Sequence, residues 1–306
     1  MTCRHIIGIL LLVPGLSVAQ TPDLPRTTWG TPDLSGYWEY RTTTPLQRPE
    51  ELAGKIVLTT EEEVAYLDGR HAAIGRERDL QLNADWWQPG GLTGGRTALV
   101  VDPVDGRIPS PSMAAQARVR TLGLASRLRS ADGPEDRERY ERCIMGRTVP
   151  LLAVAPNRLA QFFQTANHIV ILHEQNWDVR IIPIHDTRVE RGLSEQIRQW
   201  QGASRGHWDG DTLVIETKNL NGEWTLAGTS RNARFEERIA IRDAGTLDYR
   251  FTVHDPESFG GAWTAAFPVT RAAGPLFENA CHEGNYSMPL ILRGARALER
   301  GEGLRR

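Results

Sequence analysis

Ser204-Arg205-Gly206-His207-Trp208-Asp209-Gly210-Asp211-Thr212-Leu213-Val214-Ile215-Glu216-Thr217-Lys218-Asn219 is the stretch that decides the fold. Ser204 to Trp208 and Thr212 to Asn219 read as strands pairing across Asp209-Gly210, a dipeptide suited to the left-handed backbone of a tight hairpin turn. The two-residue period continues on both sides. Downstream, Arg234 to Arg242 and Thr246 to His254 pair across Ala244-Gly245, and Trp263 to Thr270 follows. Upstream, Leu159 to Gln164 and His168 to Glu174 turn at Ala166-Asn167, and Asp178 to Ile184 forms a third strand. Consecutive antiparallel strands joined by short turns build a meander, which closes as a barrel or a strongly curved sheet.

The front half reads differently. Asp33 to Tyr40 is a first strand stiffened by aromatics. Thr59-Thr60-Glu61-Glu62-Glu63 is a helix start, with threonines to cap it and acids at the positive end of the dipole, and the helix runs to about Arg78. Gln88 to Arg96 is a glycine-rich loop, and Ala98 to Asp102 a strand before a turn at Asp105-Gly106. Pro109 to Leu128 is helical, with Met113, Ala117, Val119 and Leu122 as its apolar positions, and Gly133 to Arg142 is short, charged and helical. The expected architecture is mainly β: one barrel-like domain over 20–306, with a helical insertion at about 59–142 supplying two or three helices.

Residues 1–19 carry the pattern of a signal peptide. Arg4 and His5 precede the apolar run Ile6 to Leu12, and Ser17-Val18-Ala19 is the small-x-small pattern read by signal peptidase before Gln20. The run is too short to span a bilayer as a helix. A secreted or periplasmic protein is therefore expected, with Cys3 removed and Cys143 and Cys281 left as a pair. In an oxidising compartment that pair reads first as a disulfide, with a free Cys281 beside His282 as the competing reading. The composition, 40% hydrophobic and 24% charged with a formal net charge of -2, is that of an ordinary globular chain. It lacks the basic stripe of a nucleic-acid binder and the polybasic helix of a membrane-surface protein. Nine tryptophans stand out; they fill cores and also line sites for flat or apolar ligands.

Two resemblances are carried by short motifs. Asp33-Leu34-Ser35-Gly36-Tyr37-Trp38 resembles the Gly-x-Trp opening of lipocalin-like barrels, which implies that Trp38 plugs one end of a barrel. Pro32-Asp33-Leu34-Ser35-Gly36, Asp105-Gly106-Arg107-Ile108-Pro109, Val179-Arg180-Ile181-Ile182-Pro183, Gly206 to Val214 and Ala280-Cys281-His282-Glu283-Gly284-Asn285-Tyr286 are together similar to an uncharacterised family of exported bacterial proteins. That likeness implies one secreted domain and no particular reaction.

Among groups that carry chemistry, His282-Glu283-Gly284-Asn285-Tyr286 places an imidazole, a carboxylate, an amide and a phenol within one turn, next to Cys281. His282 is the natural general acid or base there, imidazole being the side chain that exchanges protons near neutral pH. The bland reading is a loop whose polar groups satisfy backbone. Glu237 is the polar residue in the apolar series Phe235, Ile239 and Ile241, so alternation turns it inward, and Tyr249 shares a face with Leu247, Phe251 and Val253. A buried carboxylate pairs with a cation or resists ionisation, and Arg180 and Arg238 are the candidate partners. His168 and Glu174 share a face with Val170 and Leu172, either lining a cavity or sitting at the wet ends of the strand. Gly202-Ala203-Ser204-Arg205-Gly206 matches a nucleophile-elbow pattern but precedes a hairpin instead of a helix. Gly90 to Arg96 lacks the Lys-Ser/Thr of a phosphate loop. The scattered histidines lack zinc-site spacing, and neither metal nor cofactor is expected.

Two functions follow. One is acid–base chemistry (isomerisation, cyclisation or elimination) on a small apolar or aromatic molecule, with His282, Glu237 and Tyr249 catalytic. Trp38, Arg180, Glu174, His168, Glu283, Asn285 and Tyr286 would then contact the substrate. The other is a secreted carrier that holds such a molecule unaltered. Barrels host both.

Overall fold

The computed structural model describes residues 24–78, 91–128, 131–137, 141–144, 149–153, 158–185, 196–223 and 226–302. The expected signal peptide lies outside them. The chain enters the sheet at β1 (Gly36–Glu39), continues through helix α1 (Thr60–Arg78), strand β2 (Val100–Asp102) and helix α2 (Met113–Leu128), and then lays down the meander. Its strands are β3 (Leu159–Gln164), β4 (His168–His173), β5 (Val179–Pro183), β6 (Ala203–Asp209), β7 (Thr212–Lys218), β8 (Arg234–Asp243), β9 (Thr246–His254) and β10 (Trp263–Arg271), followed by helix α3 (Ser287–Glu299).

Nine strands form one antiparallel path, β5-β4-β3-β1-β10-β9-β8-β7-β6, and β2 pairs with β10 beside it. The two ends of the path approach each other, and a parallel bridge between Ile184 and Gly206 nearly closes the barrel. His185 N–H donates to the Gly206 carbonyl at 2.9 Å there. This architecture agrees with the lipocalin-like barrel expected from the meander. Gly206 allows the closure: a Cβ built on it would stand 2.6 Å from Ile184 Cδ1. At the β6–β7 hairpin Asp209 pairs with Thr212, so the loop is Gly210-Asp211, and Gly210 takes φ +58.

The core lies inside the barrel. Phe235, Ile239 and Ile241 on β8, Leu247, Tyr249, Phe251 and Val253 on β9, and Trp263, Ala265, Phe267 and Val269 on β10 are all buried, while their alternating neighbours turn outward. Trp38 is buried. Its indole N–H donates to the Leu34 carbonyl at 2.8 Å, and the Arg271 guanidinium covers the ring at 4.3 Å. Gly36 makes that cover possible, since a Cβ there would meet Arg271 Nη1 at 2.5 Å.

Several expectations about the rest of the chain need correction. The third helix comes from the C-terminus instead of the middle block. Within Gly133 to Arg142 the described helical structure is a single 3-10 turn, Pro134–Asp136; Gly133 and Pro134 favour a turn over a continuing helix. On α2, Met113 and Val119 are exposed and Ala115 is the buried residue. Residues 149–153 instead thread through the interior, buried at every position. Among the described residues, no helix is long and apolar enough to cross a membrane.

Cys143 and Cys281 form a disulfide with a Cα–Cα distance of 5.7 Å, closing a separation of 138 residues. It ties the C-terminal segment to the middle block, where the Asn285 amide also donates to the Glu141 carbonyl at 2.7 Å.

Candidate functional site

The inward alternation of β8 and β9 brings Glu237 and Tyr249 together, and β5 delivers Arg180 from the far end of the strand path. All three are buried. Arg180 grips both carboxylate oxygens of Glu237, with Nη1 to Oε1 at 3.1 Å and Nη2 to Oε2 as the shorter contact. The Tyr249 hydroxyl donates to Glu237 Oε1 at 2.7 Å and accepts the Leu151 backbone N–H at 2.9 Å. Arg180 also donates to Ser204 Oγ at 2.9 Å and Thr217 Oγ1 at 2.7 Å, so both strands beyond the seam hold it. Burial pushes the Tyr249 phenol well above its ordinary range, and the charge and hydrogen bond of Glu237 add to that rise.

Of the two cations weighed for Glu237, Arg180 is the partner. Arg238 alternates outward and pairs with Asp209 at 2.6 Å on the surface. The register makes this unavoidable, because neighbouring residues of one strand face opposite sides of the sheet.

A second polar pair sits deeper in β4. His173 and Tyr40 are buried, and the Tyr40 hydroxyl lies 3.2 Å from His173 Nδ1. Burial, joined by the charges of Arg180 and Arg158, holds the His173 pKa down to about 3. Burial likewise pushes the Tyr40 phenol up to about 12. His173 Nε2 meets no hydrogen-bond partner among the described residues. Sequence reading missed this pair and chose the opposite face of β4. There His168 is exposed, and Val170, Leu172 and Glu174 are half-buried, while Ile169, Ile171 and His173 point into the core. Both faces alternate apolar residues, so period alone is degenerate. Desolvation raises the Glu174 carboxyl above its usual range.

The C-terminal cluster stands apart from this interior. His282, Glu283 and Tyr286 are exposed, and Asn285 is half-buried against Glu141 and Cys143 Sγ. Among the described residues, no hydrogen bond or ion pair joins His282 to Glu237 or Tyr249. The structure therefore brings Glu237, Tyr249 and Arg180 together, and leaves His282, Glu283, Asn285 and Tyr286 on a separate surface. No group of three or more His, Cys, Asp or Glu among the described residues is placed to hold a metal ion.

A cavity of about 930 Å³ lies along the seam between β5 and β6. One wall is apolar, formed by Val179, Ile181 and Pro183 with Trp200. Val179 is 48% and Ile181 61% exposed, unusual for two neighbouring outward positions on one strand. The other wall is cationic, with Arg198 and Arg205, and includes Arg180 and Ser204 from the buried array. Arg198 spends its hydrogen bonds on the Leu220 and Arg231 carbonyls and on Asn232, none of them charged. Arg205 has no ion-pair partner among the described residues. Of these lining residues the sequence had singled out Arg180; the 196–203 segment carries no periodic pattern that would have marked Trp200 or Arg198. No family model, curated protein or solved structure matches the chain.

Proposed function

We propose that this protein binds a small molecule with an apolar or aromatic body and an anionic group in the β5–β6 seam, and carries it unaltered outside the cytoplasm. The observation that supports this reading is the two-sided lining of the seam cavity. Val179, Ile181, Pro183 and Trp200 offer an apolar surface, while Arg198 and Arg205 offer positive charge, neither of them in an ion pair among the described residues. The volume lies in the upper part of the range for small-molecule sites, roughly 300–1,000 Å³. The disulfide accords with an oxidising compartment.

The rival reading, acid–base turnover, needs proton-handling groups free to act on a bound molecule. Glu237 is held by Arg180 and Tyr249, and the Tyr249 hydroxyl already donates to Glu237 and accepts from Leu151. His282 lies exposed in the C-terminal segment. These arrangements favour binding over catalysis. The test is incubation of the purified protein with a panel of aromatic and apolar carboxylates and their neutral analogues, followed by mass spectrometry. Binding predicts retention of carboxylates with unchanged mass. Conversion of any retained compound would contradict it and return the catalytic reading.

A further inference from the structure

A second cavity, of about 400 Å³, opens on the outer face of β8, β9 and β10, away from the seam and the barrel interior. Its floor is built from small or compact residues, Ala240, Ala266 and Pro268, and its walls from Arg96, Arg238, Arg242 and Arg250, with the Asp248 carboxylate among them. Register puts Arg238 and Arg250 directly opposite each other on neighbouring strands. Like charges in that position repel. Arg238 is drawn aside to Asp209, and Arg242 pairs with Asp248. Arg250 has no ion-pair or hydrogen-bond partner among the described residues.

Arg96 supplies a second, separate sign. It is half-buried, and its guanidinium donates to the carbonyls of Ala266, Ala98 and Leu99 at 2.8–3.0 Å, fixing it against the sheet. None of these acceptors carries charge, so a rigidly held cation faces the same cavity as Arg250. Arg250 can offer two parallel hydrogen bonds to a group with several negative oxygens, while Arg96, its terminal nitrogens largely engaged by carbonyls, adds fixed positive charge beside it.

We infer that this cavity binds the phosphate group of a small soluble phosphate monoester, with the compact floor receiving a body about the size of a sugar ring. The inference is independent of the seam.

Calorimetric titration with inorganic phosphate and with a hexose 6-phosphate, at low ionic strength, tests it. Saturable binding of both is expected, with the ester at least as tight and the unphosphorylated hexose silent. Arg250→Gln should weaken the ester at least tenfold, with circular dichroism unchanged, and Ile181→Arg in the seam should leave it intact. A readout without variants is the melting temperature, which phosphate should raise more than chloride at equal ionic strength. No saturable phosphate binding, equal effects of phosphate and chloride, or unchanged affinity in a folded Arg250→Gln protein would overturn it.

Discussion

Arg180 and Glu237 meet as a buried two-point ion pair although their strands stand at opposite sides of the barrel seam, β5 at one end of the strand path and β8 third from the other. The pair therefore spans β6 and β7 and ties the two free ends of the sheet together. Ser204 and Thr217, on the intervening strands, complete the donor set of the guanidinium. An ion pair in this position is satisfied at nearly every polar atom, which is the condition under which burial of charge is tolerated.

Removing one partner leaves the other charged and buried. Glu237→Leu is expected to destabilise the fold by about 3–5 kcal/mol in chemical denaturation. The double variant Arg180→Met/Glu237→Leu should recover most of that loss, because no charge is then left unpaired. Equal losses in the single and double variants would show that the pair is not the unit acting.

Tyr249→Phe tests the same network from its hydroxyl. The change orphans the Leu151 N–H and takes one donor from Glu237. A cost of roughly 1–3 kcal/mol is expected, with the fold retained by circular dichroism.

His173 gives the molecule an acid-side weakness of calculable sign. Its folded pKa, about 3, lies below the ordinary value of 6.5. As pH falls, the unfolded chain takes up this proton first. The stability carried by the neutral imidazole is thus complete above about pH 6.5 and is lost as pH drops toward 3. The ceiling on that loss is roughly 4–5 kcal/mol. In His173→Met the fall of melting temperature over this window should be shallower than in the parent protein; parallel curves would contradict the assignment.

Gly206→Val tests the closure. Its side chain would run into Ile184 Cδ1, so β5 and β6 must part. The expected cost is about 1–3 kcal/mol, with faster amide exchange at His185, whose N–H bonds to the Gly206 carbonyl.

The barrel was legible because β8 and β9 alternate cleanly and short turns with Gly210 and Gly245 join consecutive strands. The same alternation placed Glu237 and Tyr249 inward and joined them. It is degenerate on β4, where both faces are apolar, and the inward face proves to be that of His173 and not that of His168 and Glu174. Alternation also turns Arg238, the neighbour of Glu237, to the other face, but it could not bring Arg180 to Glu237, since cross-seam partners depend on how the sheet closes and not on any local period. The Cys143–Cys281 pairing was readable from cysteine number. Where it would carry His282 was not, because the tail that follows β10 has no strand register to fix it. The seam cavity was invisible for a related reason: its walls come from β5 and from a segment joined to it only through closure.

The seam reading is tested most directly by Ile181→Arg, which fills the apolar wall with a charged side chain at an outward position and leaves the buried array untouched. Affinity for a retained aromatic carboxylate, measured by calorimetry, should fall at least tenfold while the melting temperature stays within a few degrees of the parent. An unchanged affinity in that folded variant would contradict binding at the β5–β6 seam.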